Sequence, residues 1–505
     1  MELRKLDYYV CELKKIGQII SVNGETDFNI KNLTYNSKDV IKNTLFICKG
    51  VNFNEDYLQE AILKGAAAYI IDENKYNSLS LKDLNITYIL VKDIRKTMAI
   101  VANIFYNKPL DFIKLVGITG TKGKTTAAYF TKSILDKKED SGLISGIDIY
   151  NGKTYEEAKL TTPESVELFK YLYQMTENNI NMSVMEVSSQ ALKYDRVYDV
   201  EFFIGVYLNL GEDHISPFEH KDFSDYMQSK LKLMSQSKNV VINIDDKYAD
   251  AFIQKAKESR FKPKIVTFSR LGNTSADIYC ENYEELRSGQ RFTLTVKRKS
   301  DILKKQITLK MGGVFNITNA LAACAVADIL GVDTEKWSAG LENALVSGRM
   351  EEYYLEEKNV KIVVDYAHNQ MSFNSLLDSV YEKYKKENIF MVYGCPGKKA
   401  FDRREKLPKI SAERVGFTYI TEEDPSSESL IKICDEVYDN LKKFGGNGEI
   451  VLDREKAILK AINSSKNGDI ILILGKGREE FQKRKSGYEY YLSDVKVVEN
   501  YIENK

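Results

Sequence analysis

Hydrophobic and polar positions follow three successive patterns along the chain. Between residues 44 and 106, short apolar runs (TLFICK, AAYII, TYILV) are interleaved with segments of helical period, YLQEAILKG and DIRKTMAIVANIFYN, which predicts a small α/β domain. Asn107-Lys108-Pro109 then breaks the pattern, because proline disfavours helix at the residue before it and cannot donate to a ladder. From Phe112 the run FIKLVGIT reads as a buried strand feeding a Gly-rich turn and a helix, with further strands expected at NMSVMEV, FFIGVYLNL and NVVINI. Period-two alternation over 263–310 (IVTFSR, FTLTVKRK, QITLKM) predicts an antiparallel annex. After Gly348 the strands KIVVDYA, NIFMVYG, VGFTYIT and DIILILG, separated by helical stretches, predict a second parallel sheet.

The fold class expected is therefore α/β, in three domains. A small N-terminal α/β domain covers 1–110, a central P-loop-type parallel-sheet domain with its annex covers 111–346, and a Rossmann-like domain covers 347–505.

Charge narrows the partners. The 73 basic and 73 acidic residues cancel, so there is no electrostatic footprint for nucleic acid or anionic lipid, and any phosphate must be held locally. The N-terminus MELRKLDYYVCELKKIG mixes charges with apolar residues and has neither a signal-peptide core nor a long apolar run, so a soluble, cytoplasmic protein with no membrane partner is expected. Cys11, Cys48, Cys280, Cys324, Cys395 and Cys434 form no CxxC pair and read as free thiols.

The sharpest local signal is Gly117-Ile-Thr-Gly120-Thr121-Lys122-Gly123-Lys124-Thr125-Thr126. Glycines let backbone N–H groups approach phosphate oxygens, Lys124 can neutralise β/γ charge, and the Thr125 hydroxyl can ligate Mg2+. Ile118 stands where the usual pattern wants its first glycine, so the strict P-loop expression is missed by one position.

The spacing GxTGTxGKTT resembles that of the Mur ligases and folylpolyglutamate synthetases, and the chain resembles the MurE branch of the Mur ligase family along nearly its whole length. Asn36-Ser37-Lys38 and TLFICKG resemble its uridine-nucleotide elements, and Thr161-Thr162-Pro163 its TTP element. MEVSSQALKYDRV, Asn209-Leu-Gly-Glu-Asp213-His214 and Tyr226-Met-Gln-Ser-Lys230 follow. Asn316 and Asn319, Gly348-Arg349-Met350-Glu351, Asp365-Tyr-Ala-His368-Asn369 and Gly475-Lys-Gly477-Arg-Glu479 complete the series. Gln370 replaces the proline frequent after this last histidine motif.

The resemblance implies an ATP-dependent ligase. It phosphorylates the free carboxylate of a UDP-MurNAc-peptide, after which an amino acid's amine attacks the acyl phosphate. It implies Lys124, Glu186, His214, Lys230 and Arg349 as catalytic residues. Thr125, Glu186, His214 and carbamylated Lys230 become metal ligands. ATP contacts are implied for Gly120, Thr121, Lys122, Gly123, Lys124, Thr125, Thr126, Asn316, Asn319, Arg349, Asp365 and His368. Ser37, Thr161, Thr162, Ser188 and Arg196 match positions that contact UDP-MurNAc-L-Ala-D-Glu. His220 falls outside these motifs and reads as a surface or packing residue.

For the amino acid, the resemblance implies Glu423-Asp424-Pro425-Ser426, Gly475 and Glu479, with Arg403 or Arg404 for the α-carboxylate. Where diaminopimelate-adding relatives carry DNPR, this chain has EDPS. The fork that would pair the far carboxylate is missing, whereas an ammonium gains from Glu423 or Asp424, so L-lysine fits better. Ornithine or diaminopimelate remain alternatives within the class, and a non-catalytic nucleotide-binding paralogue is the alternative outside it. A monomer is expected.

Overall fold

A computed structural model of the protein describes residues 3–50, 53–78, 85–212, 215, 219–286, 289–298, 301–342, 344, 346, 350–381 and 383–503. His214 and Arg349 lie outside the described residues. The chain divides into two compact units: Met1–Tyr279 with Val296–Leu303 and Asn319–Gly340, and Cys280–Thr295 with Lys304–Thr318 and Leu341–Lys505.

The first unit contains the N-terminal five-stranded sheet, in the order Ile19–Asn23, Thr87–Val91, Ala66–Asp72, Thr44–Ile47, Asn32–Thr34, antiparallel only at its first pair. Its last helix, Ile94–Phe105, is started by Asp93, whose side chain accepts from the amides of Arg95 and Lys96. It stops at Asn107 and Lys108, both at positive φ (61° and 49°), where the sequence placed its break.

The large sheet runs Tyr155–Glu157, Asp148–Tyr150, Gly142–Ile144, Met182–Glu186, Lys114–Thr119, Ile204–Tyr207, Asn239–Asn243, Lys264–Ser269, Ile278–Glu285, Gln290–Lys297, Ile302–Leu309. From Gly142–Ile144 to Ile278–Glu285 every neighbouring pair is parallel. IVTFSR therefore belongs to the parallel run, against the expectation that it opened an antiparallel annex; its alternation reflects one face wetter than the other, not its pairing. The antiparallel strands at 148–157 were not anticipated, being too short to show a period.

Lys114–Thr119 sits mid-sheet, with Met182–Glu186 on one side and Ile204–Tyr207 on the other. Connections leave it in both directions, and such a reversal opens a crevice at the carboxyl ends of the strands. The residues that arrive there are the Gly120–Gly123 turn, Glu186 and Asn209.

In the second unit the order is Glu351–Leu355, Val360–Asp365, Ile470–Leu474, Ile389–Tyr393, Phe417–Ile420, Gly448–Ile450, all parallel except the first pair. Arg454, fully buried, ties its carboxyl edge together: it faces both oxygens of Asp494 (2.7 and 2.8 Å) and donates to the carbonyls of Glu422 (3.1 Å) and Leu474 (2.7 Å). Among the described residues no helix is long and apolar enough to cross a membrane.

Removing one partner of a buried, hydrogen-bonded ion pair strands the other. Arg454→Met is expected to lower the unfolding free energy of the second unit by about 3–5 kcal/mol, read as a fall in its urea midpoint by circular dichroism.

Candidate active site

The phosphate turn is shaped by its neighbours before any nucleotide arrives. Gly123 caps the helix Lys124–Leu135 at φ +85°, and a Cβ there would lie 2.4 Å from Asn319 Oδ1, so only glycine fits. Asn209 latches the turn from the adjacent strand end: its Oδ1 accepts from the Lys122 amide (2.9 Å) and its Nδ2 donates to the Lys122 carbonyl (3.1 Å). The Thr121 hydroxyl lies 3.1 Å from that of Tyr226 and accepts from the Gly211 amide. Asn209 and Tyr226 stand in motifs visible in the sequence, yet their role as latches needed the fold to show it.

Two lysines converge on the same turn. Lys124 Nζ donates to the carbonyls of Gly120 (2.9 Å) and Thr121 (3.2 Å), and Lys230 Nζ, 1% exposed, donates to Gly120 (2.8 Å). Thr125 and Thr126 occupy the helix's first turn, where backbone N–H groups favour an anion. Glu186, also 1% exposed, ends its strand beside them, Oε1 accepting from the Gly146 amide (2.7 Å). Asn316 is committed to the Gly312 carbonyl (2.7 Å).

Fully buried Thr162 fixes the next wall. Its hydroxyl donates to the Glu186 carbonyl (2.9 Å) and accepts from the Ser188 amide (3.0 Å), while Ser188 caps the helix Ser189–Lys193. Thr161 lines the approach to Gly146. Arg196 donates to the Thr162 carbonyl (3.2 Å), with its Nε 3.0 Å from Glu164. Ser37 donates to Glu60 (2.5 Å), which fixes its orientation within the N-terminal sheet's surroundings. His220, left open between surface and core, is fully buried and packs its ring edge on Tyr226 with Nε2 2.9 Å from the Ser189 hydroxyl.

In the second unit the carboxyl ends of the strands gather Asp365, Glu422–Asp424 and Gly475. Asp365 accepts from the amides of Met350 (2.8 Å) and Ala367 (2.7 Å), and His368 turns Nδ1 to the Tyr366 carbonyl (2.8 Å). Glu423 is pressed against two glycines: a Cβ on Gly475 (φ +109°) would fall 2.5 Å from its Oε2, and one on Gly394 2.8 Å from its Cβ. Burial raises the Glu423 carboxyl to about 7, more than Arg454 and Arg403 lower it. Asp424 and Ser426, at φ 45° and 56°, are clamped to the strand Phe481–Arg484. Asp424 N donates to Gln482, Lys483 N to Asp424, and Ser426 N to the Lys483 carbonyl.

Lys476, 2% exposed, reaches both Asp424 (3.0 Å) and Glu479, and burial lowers its pKa despite them. The two arginines proposed for one role separate. Arg404 is consumed by Glu428, Glu436 and the Pro396 carbonyl, at 2.8 to 3.0 Å, whereas Arg403 contributes to the field at Glu423.

Residues 118–327 match the Mur ligase middle domain and 348–477 the Mur ligase glutamate ligase domain. The chain is 36% identical over 481 residues to a UDP-N-acetylmuramoyl-L-alanyl-D-glutamate--L-lysine ligase of Enterococcus faecalis, covering 94% of this chain and 92% of the relative. It is 36% identical over 504 residues to a UDP-N-acetylmuramyl-tripeptide synthetase of Ligilactobacillus salivarius, covering 95% and 96%. In fold it is similar to a solved UDP-N-acetylmuramoyl-L-alanyl-D-glutamate--2,6-diaminopimelate ligase (TM-score 0.68, 22% identity, 100% and 99% covered). It is also similar to a folylpolyglutamate synthase of Mycobacterium tuberculosis (TM-score 0.60, 12% identity), which accounts for only 75% of this chain. With both domain models matched in order and curated relatives aligned end to end, the chain belongs to the Mur ligase family.

Proposed function

We propose that the protein is a cytoplasmic, monomeric ATP-dependent ligase that adds L-lysine to UDP-MurNAc-L-Ala-D-Glu in the synthesis of peptidoglycan precursors. Two observations support the reading, each within its own unit: a cation-rich turn in the first and a cluster of carboxylates at the strand ends of the second. In this reading residues 1–110 hold the uridine nucleotide, 111–346 the ATP and 347–505 the amino acid.

The obstacle to the reaction is the approach of two anions, the dipeptide carboxylate and the γ-phosphate. Lys124 leaves the carbonyls of Gly120 and Thr121 for β/γ oxygens, and the amides of the turn and Thr126 take the remaining lone pairs. The carboxylate oxygen attacks the γ-phosphorus, ADP leaves, and the lysine α-amine then attacks the acyl carbon with release of phosphate. Glu479 orients that amine, Arg403 holds the α-carboxylate, and Glu423 with Asp424 receives the ε-ammonium. Arg349, Asp365, His368 and Asn319 complete the nucleotide contacts.

Thr125, Glu186, His214 and Lys230 as a carbamate would hold Mg2+. Glu186 is a hard oxygen donor at the crevice and suits an ion that takes the rest of its ligands from phosphates and water. When bound it neutralises charge between phosphate oxygens. Carbamylation would replace an ammonium crowding Lys124 by an oxygen donor of opposite sign.

Phosphate release from ATP in the presence of UDP-MurNAc-L-Ala-D-Glu is expected to depend on L-lysine, ahead of L-ornithine and meso-diaminopimelate at equal concentration. In the same assay Ser426→Arg is expected to raise diaminopimelate use relative to lysine; an unmoved ratio removes Ser426 from the specificity argument, and no release with any amine sinks the ligase reading. Lys230→Ala is expected to lower kcat about a hundredfold or more, with partial rescue by small carboxylates. An unimpaired variant excludes the carbamate.

The Glu423 carboxyl gives a pH dependence. With its pKa raised to about 7, it is mostly neutral below that value and mostly charged above it, so KM for lysine should rise as pH falls from 8 to 6, by up to about tenfold over the interval. Glu423→Gln should flatten that profile.

A further inference from the structure

Lys49, Arg95 and Arg196 belong to three separate stretches of the first unit: the turn after Thr44–Ile47, the first turn of Ile94–Phe105, and the segment following Ser189–Lys193. One carboxylate gathers them. Glu164, 8% exposed and at the start of the helix Ser165–Glu177, has Lys49 Nζ at 2.8 Å and Arg95 Nη1 at 3.8 Å from Oε2, and Arg196 Nε at 3.0 Å from Oε1. Burial pushes the Glu164 carboxyl up, but Lys49 and Arg196 outweigh it and hold it below the usual range.

The cluster is not balanced. Its other acid, Glu167 one turn along, is raised by burial and hydrogen-bonds Tyr35, so three cations face two acids. Arg95 Nη1 is buried without a hydrogen-bond acceptor, and Arg95 also lines a cavity of about 380 Å3 with Gly50, Asp72, Asn74, Lys75 and Ser78. A surplus of partly desolvated cations next to a cavity is completed by an anion.

We propose that Glu164 is a positioning residue for the nucleotide-linked acid substrate: it holds Lys49, Arg95 and Arg196 as one anion-receiving face, and the substrate's own negative charge completes the cluster. This rests on the ligase reading, in which Arg196 contacts that substrate. Arg196 is fixed from two sides, by Glu164 at Nε and by the Thr162 carbonyl at Nη1, and neither contact uses Nη2. Ser165 adds a third restraint by donating to the Arg196 carbonyl (2.8 Å). Without Glu164 the three cations repel one another and the guanidinium loses its orientation.

Steady-state kinetics of the full-length protein test this with UDP-MurNAc-L-Ala-D-Glu, ATP and L-lysine each varied in turn. Glu164→Gln should raise KM for the nucleotide-linked acid at least about tenfold, leave KM for ATP and lysine near wild type, and be partly rescued by Glu164→Asp. Lys49→Met should raise the same KM and serves where Glu164→Gln does not fold. If both variants leave that KM unchanged while Arg196→Ala raises it, Glu164 merely stabilises the fold and the proposal fails. If Arg196→Ala also leaves it unchanged, the assignment of this wall to the substrate fails with it.

Discussion

Two ammonium groups meet at one backbone oxygen, the Gly120 carbonyl, and the phosphate site is arranged around that crowding. Like charges at low dielectric repel strongly, so the turn must be held by something other than its cations. Asn209 supplies two hydrogen bonds to Lys122, Tyr226 meets Thr121, and Asn319 packs where only a glycine at 123 leaves room. The rigid turn then holds Lys124 at the carboxyl edge of the sheet. Preorganisation of this kind places the electrostatic cost in folding, so that little reorganisation remains when charge develops in the reaction.

The second unit inverts the sign. Asp424 and Glu479 pair with Lys476 and Arg454 with Asp494, so Glu423 is the carboxyl whose burial outweighs the cations around it. In the proposed reading, the first unit's edge suits a phosphate donor and the second's a diamino acid, by charge alone. Gly394 and Gly475 make the second edge possible, since side chains there would collide with Glu423.

Most of the fold was legible because its signals are local. Apolar runs gave the parallel strands, Asn107-Lys108-Pro109 gave the end of the helix Ile94–Phe105, and the Gly-rich turn lay where strand meets helix. What escaped depends on contacts between distant segments. The antiparallel strands at 148–157 are three residues each, IVTFSR shows its pairing only in register, and Arg403 and Arg404 are indistinguishable until Glu428 and Glu436 claim one of them. His220 could not be placed from its charged neighbours, yet it is sealed against Tyr226. Glu164 follows a recognisable Thr-Thr-Pro, but nothing in the sequence says that Lys49, 115 positions earlier, will reach it.

The preference for an ammonium over a second carboxylate also follows from what surrounds Ser426. The cation bridged across from it, Arg484, is already neutralised by Glu422 (2.6 Å) and Glu489 (3.2 Å). A diaminopimelate carboxylate arriving here would compete with two resident acids for one guanidinium and would lie near Glu423 and Asp424 as well. Leaving such a group unpaired costs roughly 1–3 kcal/mol or more, a factor of about five to more than a hundred in discrimination. Ser426 itself sits at φ 56°, pinned through its amide to Lys483, so its backbone fixes where any side chain at this position can point. In the proposed reading, selectivity for the amino acid is thus a property of the clamp between the 422–426 loop and the strand Phe481–Arg484, and the absent arginine is only its most visible part.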